Sequence, residues 1–576
     1  MAEIERKRLP DGFDTLLLGV NEGLSASLLP RNQAARLTNV TVRGGYATCR
    51  PSFVKFPLQF QDQEQTDWWK QHNVQGRGVY RSPVGVPSLI YSVGGRIFKV
   101  DVNKPRNTNV IELTPVGDWN PSNRPHAWML QLGNTKYFVI QDGQSIPLIY
   151  DGATCRRASL GFPQYEVPVG TAMAYGLGRL AVVRPHRKSY VIGDIVNGGT
   201  EVIQFTEDNY LNEGGDITVP IDGEINALAI TSQIDRSVGQ GELVAFTQYG
   251  AASARIGELR TTWKDIQFQY VALIGSGATS HNSVTLVNGD LFFRAPEGFR
   301  SVAMTRSEFQ GAWGRTPISR EVNLTLSYDT DHLLGFCESA LFDNRLLMLC
   351  NQTPLTNGCY HRGIIALDFD LISSMGAKAP PAYDGLWMGF NFTSIVSGDF
   401  NNGERCFVTH RNDDGENELW ELQKEGYLDN GVNRIQWAIE GPALIRSDIQ
   451  NMSLKSLETG DISLDGIIGE VDWRVQFKSD QSPCFLDWAD GRFCAKSKSC
   501  DAGCEQVITY QPQYRTKIRF PQPPDTCSPS DNKPARLGYE FQTRYVFTGK
   551  ATLNAARIAA IEQREDLGLM EDCGSE

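Results

Sequence analysis

The densest set of reactive side chains lies near the C-terminus, where Cys484, Cys494, Cys500, Cys504 and Cys527 share one Pro- and Ser-rich segment. Gaps of nine, five, three and twenty-two residues separate them. A zinc finger or ribbon brings its thiolates or imidazoles in closely spaced pairs, so this spacing argues against one. Disulfides stapling a long insertion come first, ordinary reduced thiols second and zinc third. Five is odd, which leaves one partner to be found elsewhere in the chain or on another subunit. The other seven cysteines are scattered, as small apolar core residues are.

Little else suggests catalysis. The chain has no Gly-x-Ser-x-Gly elbow, no His-Glu-x-x-His, no phosphate-cradling Gly-rich loop followed by Lys-Ser/Thr, and no Cys-x-x-Cys. Its histidines (His72, His126, His186, His281, His332, His361 and His410) never share a helix or strand spacing that makes a metal pair. Asp399, Asp413, Asp414, Glu416 and Glu418 are candidates for a cation. Asp399-x-Asn401-x-Gly403, however, lacks the rest of a calcium loop and reads better as a hydrated hairpin tip. Thr261-Thr262-Trp263 echoes only the end of the sialidase turn Ser-x-Asp-x-Gly-x-Thr-Trp. The expectation is a non-enzyme without cofactor, metal or catalytic residue.

Composition sets the frame. At 576 residues the chain exceeds one ordinary core, and 41% hydrophobic with 10% aromatic residues is globular. A formal charge of −12 argues against a general nucleic-acid binder, whose affinity Lys and Arg must carry. No apolar run approaches the roughly 20 residues of a membrane span, and none follows Met1 as a secretory signal would. Synthesis in the cytosol is therefore expected, and the Asn-x-Ser/Thr triplets at Asn39, Asn323, Asn351, Asn391 and Asn451 carry no glycan implication.

One pattern dominates the elements that would position any site. Lys136–Gln141, Ile146–Tyr150 and Cys155–Leu160 are short runs rich in apolar residues, separated by Asp142-Gly143 and Asp151-Gly152. Gly supplies the positive φ of tight turns, so this is a three-stranded meander. It recurs around Gly94-Gly95, around the Gly-Leu-Gly at 176–178, around Gly239-Gln-Gly241, and at Asn288-Gly289, Asp343-Asn344 and 411–417. Many short strands without intervening helices predict a β-propeller of six or seven blades over 75–435.

Beyond about residue 436 the pattern changes. Asp472–Lys478 alternates strictly, with Trp473, Val475 and Phe477 on one face, and Phe541, Tyr545 and Phe547 repeat the logic. Half-buried strands predict a β-sandwich over 436–565, with a Cys-rich insertion at 483–535 and an acidic tail at 566–576. The fold class expected is thus all-β: a propeller, then a sandwich, behind an extended N-terminal assembly segment at 1–74.

That first segment is turn-rich through Pro30, then carries good helix formers to Leu37, an extended stretch at Asn39–Val42 and a break at Gly44-Gly45. Asn21, Gly23, Ser25, Ser27, Leu28, Pro30, Asn32, Gln33, Ala34 and Asn39, with Arg43-Gly-Gly-Tyr46 and Arg50-Pro51, form a pattern. It resembles an N-terminal motif of tailed-bacteriophage structural proteins, and with a propeller behind it the chain resembles the tail nozzle or tubular tail proteins of short-tailed phages. The resemblance implies a virion protein, made in the host cytoplasm and assembled as a homo-oligomeric ring, usually a hexamer. Such a ring continues the DNA channel below portal and adaptor proteins, beside tail fibres, and conducts or gates the genome during ejection. Asn21, Pro30, Asn32 and Gln33 are the candidate assembly contacts. A receptor-binding or adhesin tail component, and more distantly a propeller glycosidase, remain open beside it.

Overall fold

The computed structural model describes residues 8–562, apart from 84, 105–106, 162–163, 196–200, 207–215, 232–241, 255–270, 304, 306–316, 355–359, 371–380, 402, 447–452, 496–509 and 520–535. The chain is a β-propeller followed by a β-sandwich. Among the described residues the propeller has six four-stranded blades and a three-stranded one. Blade one is Val74–Tyr80, Ser88–Val93, Arg96–Val100 and Val110–Glu112; blade two is Trp128–Gln131, Phe138–Gln141, Leu148–Tyr150 and Cys155–Arg157. Blades three and four begin at Thr171–Gly176 and Ile225–Ile230, the three-stranded fifth at Thr285–Val287, the sixth at Ser339–Phe342 and the seventh at Phe392–Phe400.

The turns explain why these runs fold back locally. Asn288 and Gly289 have φ of 49° and 84°, and Asp343 and Asn344 have 51° and 56°. Both central residues thus adopt the left-handed backbone whose twist matches the strands on either side. The two Asp-Gly steps work differently. Asp142 and Asp151 accept backbone N–H bonds from residues two and three ahead, which shapes wider loops. The turn expected at Gly239-Gln-Gly241 lies outside the described residues.

Apolar packets sit between successive blades. Tyr80, Ile90, Phe138 and Leu148 fill the space between blades one and two, and Phe246 meets Phe293 between four and five. Between six and seven, Leu347, Trp387, Phe392 and Val408 pack together with Phe53. Phe53–Lys55 lies within the segment expected to be separate, yet it is the fourth strand of blade seven, paired as Leu422↔Phe53 and Trp420↔Lys55. The N-terminal segment therefore closes the ring.

The helical turn expected after Pro30 does not form. Ala34 instead bridges Val20, and Arg36–Thr38 is a strand between blade six and the sandwich, parallel to Leu386 and antiparallel to Ala438–Glu440. Extended backbone there satisfies its hydrogen bonds on both sides and buries Leu37 completely, which a short isolated helix cannot match.

The sandwich is built from two long strands, Lys455–Ser479 and Phe541–Glu562, antiparallel to each other along their whole length with register shifts near Asp465–Asp472. Each belongs to both sheets. One sheet adds Gln436–Leu444 and Leu486–Cys494, the other adds Arg8–Phe13 and Tyr510–Arg519. The sheets face each other through Phe13 against Tyr545 and Phe493 against Tyr514, at ring separations of 6.0 and 4.1 Å. Gly460 has no room for a Cβ, which would come within 2.7 Å of the Trp488 indole. The insertion expected at 483–535 is thus partly sheet. Leu486–Cys494 and Tyr510–Arg519 both pair with Lys455–Ser479, which offers a free edge to each of them. The acidic tail lies outside the described residues.

Candidate functional site

The residues that carry the N-terminal pattern converge where blade six, blade seven and the sandwich meet. Asn39, at a φ of 54°, donates from Nδ2 to the Gln436 carbonyl at 3.0 Å. Its Oδ1 accepts from the Met388 amide at 2.7 Å and from Arg50 Nε at 3.1 Å. The Arg50 guanidinium is buried and grips Asp429 with two bonds, 2.9 and 2.8 Å, while its carbon stands 4.9 Å from the Phe53 ring centroid. Asp429 also accepts the Phe53 amide at 2.9 Å, which fixes the ring-closing strand.

Arg43 makes a second lock. It reaches Asp368 and Asp370 at 2.9 Å and Asp343 at 2.7 Å. Arg345 sits beside it, bonded to Asp343, Asp384 and the Thr41 hydroxyl. Asp384 is fully buried and also accepts from the Val42 amide at 2.8 Å. Burial pushes its carboxyl above the ordinary value against the pull of Arg345, and the neighbouring Asp368 charge adds to the rise.

The four candidate contacts occupy the outer loop of this staple. Asn21 bonds Gln33 at 3.4 Å, Gln33 Nε2 reaches the Leu18 carbonyl, and the Asn32 carbonyl accepts from the Leu18 amide. Gln33 is buried inside its own chain, whereas Pro30 is exposed and Asn32 half-buried.

Cys484 and Cys494 are exposed and unpaired, so no disulfide joins these two; Cys500, Cys504 and Cys527 lie outside the described residues. The acidic candidates do not gather into a cation site. Asp399 pairs with Arg81 at one end of Gly403–Arg411, while Asp413 and Asp414 follow the other end and Glu416 pairs with Lys70. No cluster of three metal-ligating side chains exists among the described residues.

Sequence reasoning missed a cavity of about 390 Å³ at one mouth of the propeller axis, where the inner strands begin. Its wall draws on blades one, two, five, six and seven, through Arg124, His126, Glu338, Arg362 and Arg411 among others. Glu338 is held by Arg77 at 3.0 Å, by the Ile395 amide at 2.9 Å and by Asn282 at 3.5 Å. Arg77 reaches on to the Ile395 carbonyl at 2.7 Å, so this pair ties together the inner strands of blades one, six and seven. His126 lies against Phe336, 4.5 Å between rings, and burial pulls its pKa down to about 4. These residues are far apart in sequence, and no local spacing announces them.

No family model matches the chain, and no curated protein matches it. Among solved structures, Kluyveromyces lactis Hsv2 is similar at 11% identity and a TM-score of 0.28, over 61% of this chain and 98% of that one. Trypanosoma rangeli sialidase in complex with sialic acid is similar at 8% identity and a TM-score of 0.27, over 89% of this chain and 94% of that one.

Proposed function

We propose that the chain is a structural subunit of a short-tailed phage tail, a nozzle or hub protein whose copies form a ring around the DNA path. The observation that carries the reading is the role of the N-terminal pattern. Asn39, part of the resemblance, bonds both blade six and the first sandwich strand, while Arg43 and Arg50 anchor the same segment to blade six and to Asp429, so the pattern ties propeller to sandwich as one rigid body. A ring subunit under internal pressure needs that rigidity. The Arg77–Glu338 pair ties the inner strands of blades one, six and seven, and in this reading the duplex passes between copies and not through one propeller. Exposed Pro30 and half-buried Asn32 lie on the outer face of the staple, where a neighbour would meet them.

Solution mass of the purified full chain, alone and mixed with the portal–adaptor complex, tests the reading. A six-fold ring, or a monomer that joins the adaptor as one, supports it. A stable trimer that retains host glycans supports the receptor-binding alternative instead, and a monomer indifferent to the adaptor sinks the ring.

A further inference from the structure

The axial cavity has a charge that the rest of the molecule does not. The chain carries −12, yet this wall presents Arg124, Arg362 and Arg411 against one carboxylate, Glu338, which Arg77 already holds. Arg411 is partly occupied, donating to the Gly415 carbonyl and to Asn73 Oδ1. Arg124 and Arg362 have no ion-pair or hydrogen-bond partner for their guanidinium groups among the described residues, and Arg124 Nε is buried with nothing to donate to. Burial pulls Arg362 below its ordinary value even with the Glu338 and Asp329 carboxylates nearby. Both side chains are half-buried, so two guanidinium groups without a partner among the described residues share one partly enclosed cavity and form a site open to a counter-charge. A volume of about 390 Å³ falls in the range of small-molecule sites.

We propose that the axial cavity binds a small oxyanion, a phosphate- or carboxylate-bearing solute, with Arg362 and Arg124 as its principal ligands. Planar guanidinium groups match both chemistries through paired N–H donors. The half-buried Phe336 and His126 rings, 4.5 Å apart, line the same wall and lower the local polarity. The inference is independent of the ring assignment, since it concerns one protomer, and neither outcome decides the other.

Calorimetric titration and thermal melting of the full chain test it, with inorganic phosphate and with citrate as probes, and sodium chloride at matched ionic strength as control. The expected result is saturable binding of at least one probe and a raised melting temperature. Phosphate alone binding assigns phosphoryl chemistry, and citrate alone assigns carboxylate chemistry. Arg362→Gln should weaken binding at least tenfold while leaving the ligand-free protein as stable as before, because it removes a half-buried guanidinium that holds no hydrogen bond or ion pair among the described residues. Arg81→Gln, at the exposed Asp399 pair, should change neither. A melting shift matched by chloride overturns the proposal, as does binding unaltered in both Arg362→Gln and Arg124→Gln. So does a ligand-free Arg362→Gln variant of much lower stability, which would make Arg362 an internal strut.

Discussion

Arg50 and Asp429 form a two-pronged ion pair at 2.9 and 2.8 Å, with the guanidinium side chain only 2% exposed. Breaking one side strands a buried charge, which costs about 3–5 kcal/mol. Arg50→Ala and Asp429→Asn should each lower stability by that order in denaturant unfolding. Arg50→Lys should not rescue, because an ammonium cannot make the paired bonds to Asp429 and the bond to Asn39 together. A double Arg50→Met, Asp429→Leu variant should lose less than the sum. A double-variant loss equal to the sum of the two single losses would contradict the pairing.

Ring closure gives a second expectation. Phe53 is completely buried in the packet between blades six and seven. Phe53→Ala should cost about 3–5 kcal/mol by leaving a cavity. It should also expose blade seven to limited proteolysis before the sandwich is cut. Cleavage that begins in the sandwich would mean the strand does not hold the ring.

Acid should weaken the propeller through two histidines. Burial holds His126 and His281 at pKa values of about 4, against an ordinary 6.5. The unfolded chain therefore takes up more protons between these values, and the folded state loses stability as pH falls from about 6.5 towards 4. Linkage sets the loss at up to about 3 kcal/mol for each, less where the ring is partly accessible. Asp384 opposes it, since its raised pKa is a stabilisation that disappears as pH rises through the folded value. His126→Gln should flatten the acid limb of the stability curve, and His126 NMR shifts that titrate near 6.5 would refute the assignment.

Thiol reactivity should split the cysteines in two. Cys484 and Cys494 are exposed, whereas burial pushes the thiols of Cys49, Cys350 and Cys406 up and away from the reactive thiolate. Iodoacetamide on the native protein should modify Cys484 and Cys494 within minutes and reach the buried set only after denaturation. Rapid native labelling of Cys350 would show that blade six opens.

The proposed channel between copies should not hold DNA tightly. Repeating a −12 chain around a ring gives a strongly negative assembly, and a wall of neutral or acidic residues keeps phosphates on the axis. Assembled rings should fail to retard duplex DNA at physiological salt. Tight retention would indicate a lumen lined by Lys and Arg.

The blades were legible because their signals are local: Asn288-Gly289 and Asp343-Asn344 dictate turns from two residues each. The alternating faces of Trp473–Phe477 and Phe541–Phe547 likewise announced half-buried strands, which pair with each other. The staple was not legible. Phe53–Lys55 is three residues long, and Lys55 meets Glu418 across 363 positions. Pro30–Leu37 was read by helix preference, which pairing to Leu386 and Ala438 overrode. The axial cavity depends on side chains from five blades, so only the closed ring reveals it.

That same span sets a timetable for biosynthesis. Lys55 leaves the ribosome 363 residues before Glu418 exists, roughly 20–70 s at typical elongation rates of about 5–20 residues per second. Throughout that interval blades one to six can form while the seventh lacks its edge and Arg50 has no Asp429 to hold. The nascent ring is an open arc with an unpaired strand at its end, the kind of edge that recruits a wrong partner. Crowded ribosomes on one message would therefore exchange first segments between neighbouring chains unless a chaperone shields residues 36–55 until the last blade is made.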